Sequence, residues 1–173
     1  GISACRYALL AVDEIAVLEV KATKQGYAPD FEFIEQMATE CFMPLSYGGG
    51  ISSLEQIHRI IRSGVEKVIL NTSAFQQPHL VREASDTFGA QAVVVCIDAK
   101  KNWRGRYEAV IAGASKKTDL TPEQAAQQAE KNGAGEIIIN AVDRDGTMSG
   151  YDLELVKRVS SSVSVPVVAL GGA

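Results

Sequence analysis

The chain has 173 residues, 46% hydrophobic and 22% charged, with a formal net charge of −4, long enough for one domain with a sizeable core. That balance excludes broad electrostatic attraction to nucleic acid or a membrane surface, and no apolar run reads as a membrane span or a signal peptide. Cys5, Cys41 and Cys96 are odd in number and far apart, neither a disulfide framework nor a metal pattern, which predicts a reducing, cytoplasmic setting.

Taken in order, the first residues read as the tail of a helix, followed by a strand near Ile15–Val20. Asp30 is placed to cap a helix over Phe31–Glu40, and a strand near Met43–Tyr47 follows. Ser52-Ser53 opens a helix over Leu54–Arg62 that stops at Gly64. A strand near Lys67–Asn71 leads to a helix over Pro78–Thr87, stopped by Gly89, and then to a strand near Ala92–Ile97. Lys101–Lys117 reads as a long loop, or a hairpin, on the face formed by the strand ends. Thr121 opens a helix over Pro122–Lys131 that ends near Gly133. A strand near Glu136–Asn140, a helix over Leu153–Ser160 capped by Asp152, and a strand near Val165–Leu170 complete the series. Continuous apolar strands alternating with amphipathic helices predict an α/β fold with a parallel sheet.

The chain also repeats itself. A shift of 122 residues lays Glu14–Gly50 over Glu136–Gly172 without a gap. Glu14, Ile15, Val20, Asp30, Glu32, Pro44, Gly49 and Gly50 recur as Glu136, Ile137, Val142, Asp152, Glu154, Pro166, Gly171 and Gly172. A long period carrying two strand–helix units predicts a half-barrel internal repeat. Two such periods give roughly 245 residues, the size of an eightfold barrel. The expectation is a partial TIM (β/α)8 barrel with about six of its eight strands. Residues 1–173 then form a single incomplete domain, lacking the first strand and the last helix–strand–helix.

In that architecture the strand C-terminal ends carry the chemistry. Gly48-Gly49-Gly50 before a helix lets backbone N–H groups approach an anion, and Gly171-Gly172 repeats the device. Two such loops point to a substrate with two phosphates; the competing reading is that the glycines only turn the chain. Asp98, ending an apolar strand, is placed for general acid–base work, or for structural hydrogen bonding. Asn71, Thr72, Asn140, Asp145, Gly146 and Thr147 stand on the same face. Asp143-Arg144-Asp145 either meets substrate or forms a local ion-pair network. Glu14, Lys67 and Glu136 begin strands at the opposite mouth, as a salt bridge or as a gate. His58 and His79 read as solvated or satisfied, and Trp103 either covers a ligand or packs its loop. No metal site and no cofactor are expected.

The stretches PLSYGGGISSLEQ, GVEKVILNTSAF, FGAQAVVVCIDAK, NGAGEIIINAVDRDGTMSGYDLEL and VPVVALGGA resemble the cyclase subunit family of imidazole glycerol phosphate synthase, from about Val12 onward. The resemblance implies a (β/α)8 lyase of histidine biosynthesis without a cofactor. It would take ammonia from a glutaminase partner in a heterodimer and act on a bisphosphorylated ribulosyl aminoimidazole carboxamide nucleotide. It implies that Asp98 is one of two catalytic aspartates, the other lying on the first strand. Gly49, Gly50, Asn71, Thr72, Asp145, Gly146, Thr147, Gly171 and Gly172 match substrate and phosphate positions. Glu14, Lys67 and Glu136 match an ammonia gate. With half of the acid–base pair absent, the chain as given is expected to be inactive.

Departures from the family pattern define the alternatives. Leu18-Glu19-Val20-Lys21 stands where the family usually has Leu-Asp-Ile-Thr, Asn140-Ala141 replaces Thr-Ser, and Leu170 replaces Ser. Asn140, Leu170 and Glu40-Cys41-Phe42-Met43-Pro44 resemble a paralogous branch serving amidino modification of surface sugars. A related sugar-phosphate isomerase and a non-catalytic glutaminase-activating scaffold are the other readings.

Overall fold

The computed structural model describes residues 13–173; the expected helix tail, with Cys5, lies outside the described residues. The chain divides into two compact units, the first ending at Ile69 and the second spanning Leu70–Ala173.

The first unit holds β1 (Ile15–Leu18), α1 (Ala22–Gln25), α2 (Phe31–Glu40), β2 (Leu45–Gly48), α3 (Leu54–Arg62) and most of β3 (Lys67–Leu70). All three strands are parallel, with Ile15 opposite Leu45 and Ser46 opposite Lys67. The caps are those the sequence predicts. Asp30 accepts from the Phe33 N–H at 3.1 Å and Ser53 from the Gln56 N–H at 3.3 Å, each satisfying a donor that the first helical turn leaves unpaired. Ile34 and Met37 of α2 and Ile57 and Ile60 of α3 are buried, spaced three residues apart on one face of each helix. β1 stops at Leu18, short of the predicted Val20, because the Glu19 carboxylate turns back to accept from the Lys21 N–H at 2.9 Å.

The second unit holds α4 (Thr72–Gln76), α5 (Pro78–Phe88), β4 (Val93–Lys101), β5 (Tyr107–Ile111), β6 (Lys116–Lys117), α6 (Pro122–Lys131), β7 (Glu136–Ala141), α7 (Leu153–Ser160) and β8 (Val167–Leu170). β4, β7 and β8 are parallel neighbours. Val93, Val94, Val95, Ile97, Ile137, Ile139, Leu155 and Val159 are buried. α6 opens on a capping box in which the Thr121 hydroxyl and the Gln124 side chain each accept from the other's backbone N–H, and its Ala125, Ala126 and Ala129 face inward.

Of the two readings of Lys101–Lys117, the structure selects the hairpin. β4 runs on to Lys101 and pairs antiparallel with β5, from Asp98 opposite Val110 to Lys101 opposite Tyr107, and β5 pairs with β6. Lys100 and Lys101 sit in a strand despite their polarity because they lie beyond its buried segment. Each unit has three parallel strands, and along the chain strands and helices follow the α/β order of a partial (β/α)8 barrel.

The repeat is present at the level of register. The 122-residue offset carries the Ile15–Leu45 pair onto Ile137–Val167, and every later pair through Leu18–Gly48 onto Asn140–Leu170. It carries the Ile15 N–H bond to the Pro44 carbonyl (3.0 Å) onto that of Ile137 to Pro166 (2.9 Å), and the Asp30 cap onto the Asp152 cap of Leu155 at 3.2 Å.

Candidate active site

Asp98 is half-buried near the end of β4. Its register partner on β7 is Asn140, which sets the two side chains beside one another. Asn140 Nδ2 donates to Asp98 Oδ1 at 2.8 Å, and Asn71 Nδ2 donates to Oδ2 at 3.2 Å. Burial pushes the carboxyl above the ordinary aspartate value. The amide donors Asn140 and Asn71 pull it down, and the Asp145 charge raises it again. The balance is upward, so Asp98 can both take and return a proton nearer neutrality than a solvated aspartate can.

Asn71 is held from behind. Thr72 Oγ1 donates to Asn71 Oδ1 at 3.1 Å, and Asn71 Nδ2 reaches the Cys96 carbonyl at 3.1 Å. Thr72 Oγ1 in turn accepts from the Ala112 N–H at 3.0 Å. Ala112, in the β5–β6 turn, has φ +55, a conformation that costs an alanine energy and needs such an anchor. The Cys96 thiol is buried, and burial drives its pKa up, so it stays a thiol.

The loop after β7 is ordered by its neighbours. Asp143 accepts from the Lys101 N–H at 2.8 Å. Arg144 turns to Asp152 at 3.7 Å and to the Gly150 carbonyl at 3.0 Å, so its charge serves the α7 cap. Thr147 Oγ1 donates to the Arg144 carbonyl at 2.7 Å. Asp145, Gly146 and Thr147 are exposed.

The glycine turns repeat like the strands. A Cβ on Gly49 would stand 2.6 Å from the Glu19 carbonyl, and one on Gly171 would stand 2.7 Å from the Ala141 carbonyl. Each turn therefore lies directly on the end of the preceding strand, a closeness only glycine permits. The Gly172 carbonyl accepts from the Gly150 N–H at 2.7 Å. Gly49 and Gly50 belong to the first unit, Gly171 and Gly172 to the second.

At the strand starts, Lys67 Nζ lies 2.7 Å from Glu14 Oε2, and the Ser46 hydroxyl donates to Glu14 Oε1. Burial alone would raise the Glu14 pKa, but the Lys67 and Ser46 hydrogen bonds and the Lys67 charge outweigh it, and the net direction is downward. Glu136 begins β7 in the second unit. His58 and His79 are exposed. Trp103 is 85% exposed, with the Arg104 guanidinium 4.4 Å from its ring centre, so it does not pack its loop down. Among the described residues no group of three His, Cys, Asp or Glu side chains is arranged to hold a metal ion, and no helix is long and apolar enough to cross a membrane.

Two contacts escape sequence reasoning. Ser46 offers a signal, a lone hydroxyl in the buried strand Leu45-Ser46-Tyr47-Gly48. The Tyr107 bond to Asp152 (2.9 Å) joins residues 45 apart and has none.

A family model described as histidine biosynthesis protein matches residues 3–173. A putative imidazole glycerol phosphate synthase subunit HisF of Leptospira interrogans is 48% identical over 162 residues, covering 93% of this chain and 64% of that protein. The imidazole glycerol phosphate synthase subunit HisF of Alkaliphilus metalliredigens is 42% identical over 161 residues (93% and 64%). That of Methanosarcina mazei is 39% identical over 184 residues (96% and 67%). The chain thus spans a little under two thirds of the length of the first relatives it matches. Its repeated strand registers, its clamped aspartate on β4 and these matches place it together: the chain belongs to the histidine biosynthesis protein family.

Proposed function

We propose that the chain is the cyclase part of an imidazole glycerol phosphate synthase, with both units belonging to one (β/α)8 domain. The substrate is a bisphosphorylated ribulosyl aminoimidazole carboxamide nucleotide. Ammonia from a glutaminase partner attacks it, and the products are imidazole glycerol phosphate and aminoimidazole carboxamide ribotide. The observation that carries this reading is Asp98, a half-buried carboxylate with both oxygens held by amide donors and a raised proton affinity. It is one acid–base group of the ring closure.

The turns at Gly49-Gly50 and Gly171-Gly172 hold the two phosphates, with Asn71, Thr72, Asp145, Gly146 and Thr147 lining the substrate. Anchoring both tips of a long substrate fixes the reacting centre. Glu14, Lys67 and Glu136 form the ammonia inlet, and exclusion of water keeps the amine unprotonated. The relatives' names, which describe subunits of this synthase, support the reading.

The test is ammonium-dependent turnover of the bisphosphorylated substrate by the full-length protein, with and without a glutaminase. Turnover is expected in the wild type and lost in Asp98→Asn with substrate affinity retained. A wild type without turnover, or an active Asp98→Asn, rejects the reading.

A further inference from the structure

The two amides that hold Asp98 are not equivalent. Asn71 is fixed at both ends of its side chain. Its Oδ1 accepts from the Thr72 hydroxyl and its Nδ2 donates to both the Cys96 carbonyl and Asp98 Oδ2. Reversing that amide would break its bonds to the Cys96 carbonyl and the Asp98 carboxylate, both of which only accept. Asn140 makes a single side-chain bond, from Nδ2 to Asp98 Oδ1. Among the described residues its own Oδ1 is buried without a hydrogen-bond partner, an arrangement native proteins rarely show.

A primary amide presents a donor on one edge and an acceptor on the other, and rotation about one bond exchanges them. A carboxylate accepts only, whereas a carboxylic acid also donates. Asn140 meets the carboxylate with its NH2 edge and leaves its oxygen unsatisfied. The rotated amide would meet the acid, with the Asp98 O–H donating to Asn140 Oδ1. The NH2 would then turn toward the side where the Ala141 carbonyl lies. Ala141 O and Asn140 Oδ1 stand 2.7 and 3.0 Å from the point a Cβ on Gly171 would occupy.

We propose that Asn140 is a positioning residue whose side-chain amide reverses each time Asp98 gains or loses a proton, so that the proton is carried on Oδ1 of Asp98 while Asn71 holds Oδ2 throughout. The proton arrives from substrate or solvent onto Oδ1 and leaves from it; nothing is oxidised or reduced. The groups facing Asp98 within the second unit are Asn71, Asn140, the Cys96 thiol on the same strand, whose pKa the Asp98 charge raises, and, through its charge, Asp145. Val110 opposite it on β5 is apolar. The catalytic consequence rests on the function proposed above; the amide reversal does not.

Two measurements on the full-length protein separate these. The first follows the Asp98 carboxyl carbon and the Asn140 and Asn71 side-chain NH2 groups by NMR across about pH 3 to 9. The Asn140 NH2 is expected to shift with the midpoint of Asp98 and to exchange its nearest neighbours, while Asn71 keeps its bond to Cys96. An Asn140 amide that keeps one orientation across the range overturns the proposal, whether or not the protein turns over. The second compares Asn140→Leu with Asn140→Thr. A hydroxyl donates or accepts by rotating, so Asn140→Thr keeps the wild-type pH–rate profile. Asn140→Leu loses about tenfold in kcat, with KM unchanged and the profile displaced. Identical profiles for the two variants overturn the proposal, and a wild type without turnover rejects the function while the titration still decides the switch.

Discussion

The Tyr107 hydroxyl stands 2.9 Å from both carboxylate oxygens of Asp152, across 45 residues of sequence. Asp152 is buried and also caps α7 through the Leu155 N–H. A single phenol thereby ties the β4–β5 hairpin to the start of a helix and to the loop that carries Asp145 and Thr147. Burial first, then the bond and charge of Asp152, push the phenol above its ordinary pKa, with Lys101 acting the other way, so it remains a donor.

Tyr107→Phe removes that donor and leaves a buried carboxylate short of a partner. The variant is expected to unfold with about 1–3 kcal/mol less stability, measured by urea titration. An unchanged midpoint would show that the strap is not a stabilising contact.

Asp98 shifts stability with pH in the direction opposite to most carboxylates. Its folded-state pKa is raised by burial, so between the unfolded value, about 3.9, and that raised value the folded chain binds more protons than the unfolded one. Stability from this group is therefore lost as pH rises through that window. Asp98→Asn removes the buried charge and is expected to melt above wild type at neutral pH, with the gap closing in acid. Melting temperatures of both proteins across pH check the sign.

Glu14 behaves in the opposite sense. Its folded-state pKa is lowered, so its contribution is present above the unfolded value and lost as pH falls through the folded one. Both partners of the Glu14–Lys67 pair keep some solvent contact, which limits its worth. Glu14→Gln is expected to lose about 0.5–1 kcal/mol at neutral pH and nothing below the folded-state pKa. Equal losses at both pH values would contradict this.

Gly26 and Gly50 share nearly the same backbone conformation, φ +69 and +68, in different surroundings. A Cβ on Gly26 meets nothing within 4 Å, whereas one on Gly50 would lie 2.5 Å from the Tyr27 carbonyl. Gly26→Ala should cost about 1–2 kcal/mol from conformation alone, and Gly50→Ala distinctly more. Thermal unfolding of the two variants compares them directly. Inorganic phosphate affinity should fall only in Gly50→Ala if that turn holds an anion.

Much of this architecture is legible before any coordinates, for identifiable reasons. α2, α3, α6 and α7 begin behind Asp30, Ser53, Thr121 and Asp152, and each of those residues caps in the structure as its chemistry requires. The short helices α1 and α4 carry no side-chain cap and left no mark to read. The hairpin is ambiguous in sequence because Lys100 and Lys101 break the apolar run, although antiparallel pairing needs only a partner strand. Asp98 stands out as a charge closing an apolar strand. The clamp around it depends on cross-strand register between β4 and β7, which no local pattern reveals. The bond from Tyr107 to Asp152 is invisible for the same reason.

The shared register of the β1–β2 and β7–β8 pairs makes the two segments interchangeable cassettes. Leu18 and Asn140 occupy corresponding places, so one copy carries an oily side chain where the other carries a polar one. The same ladder of backbone bonds therefore carries either kind of side chain at that place. Leu18→Asn would ask whether the first copy of that frame tolerates an amide at the matching place.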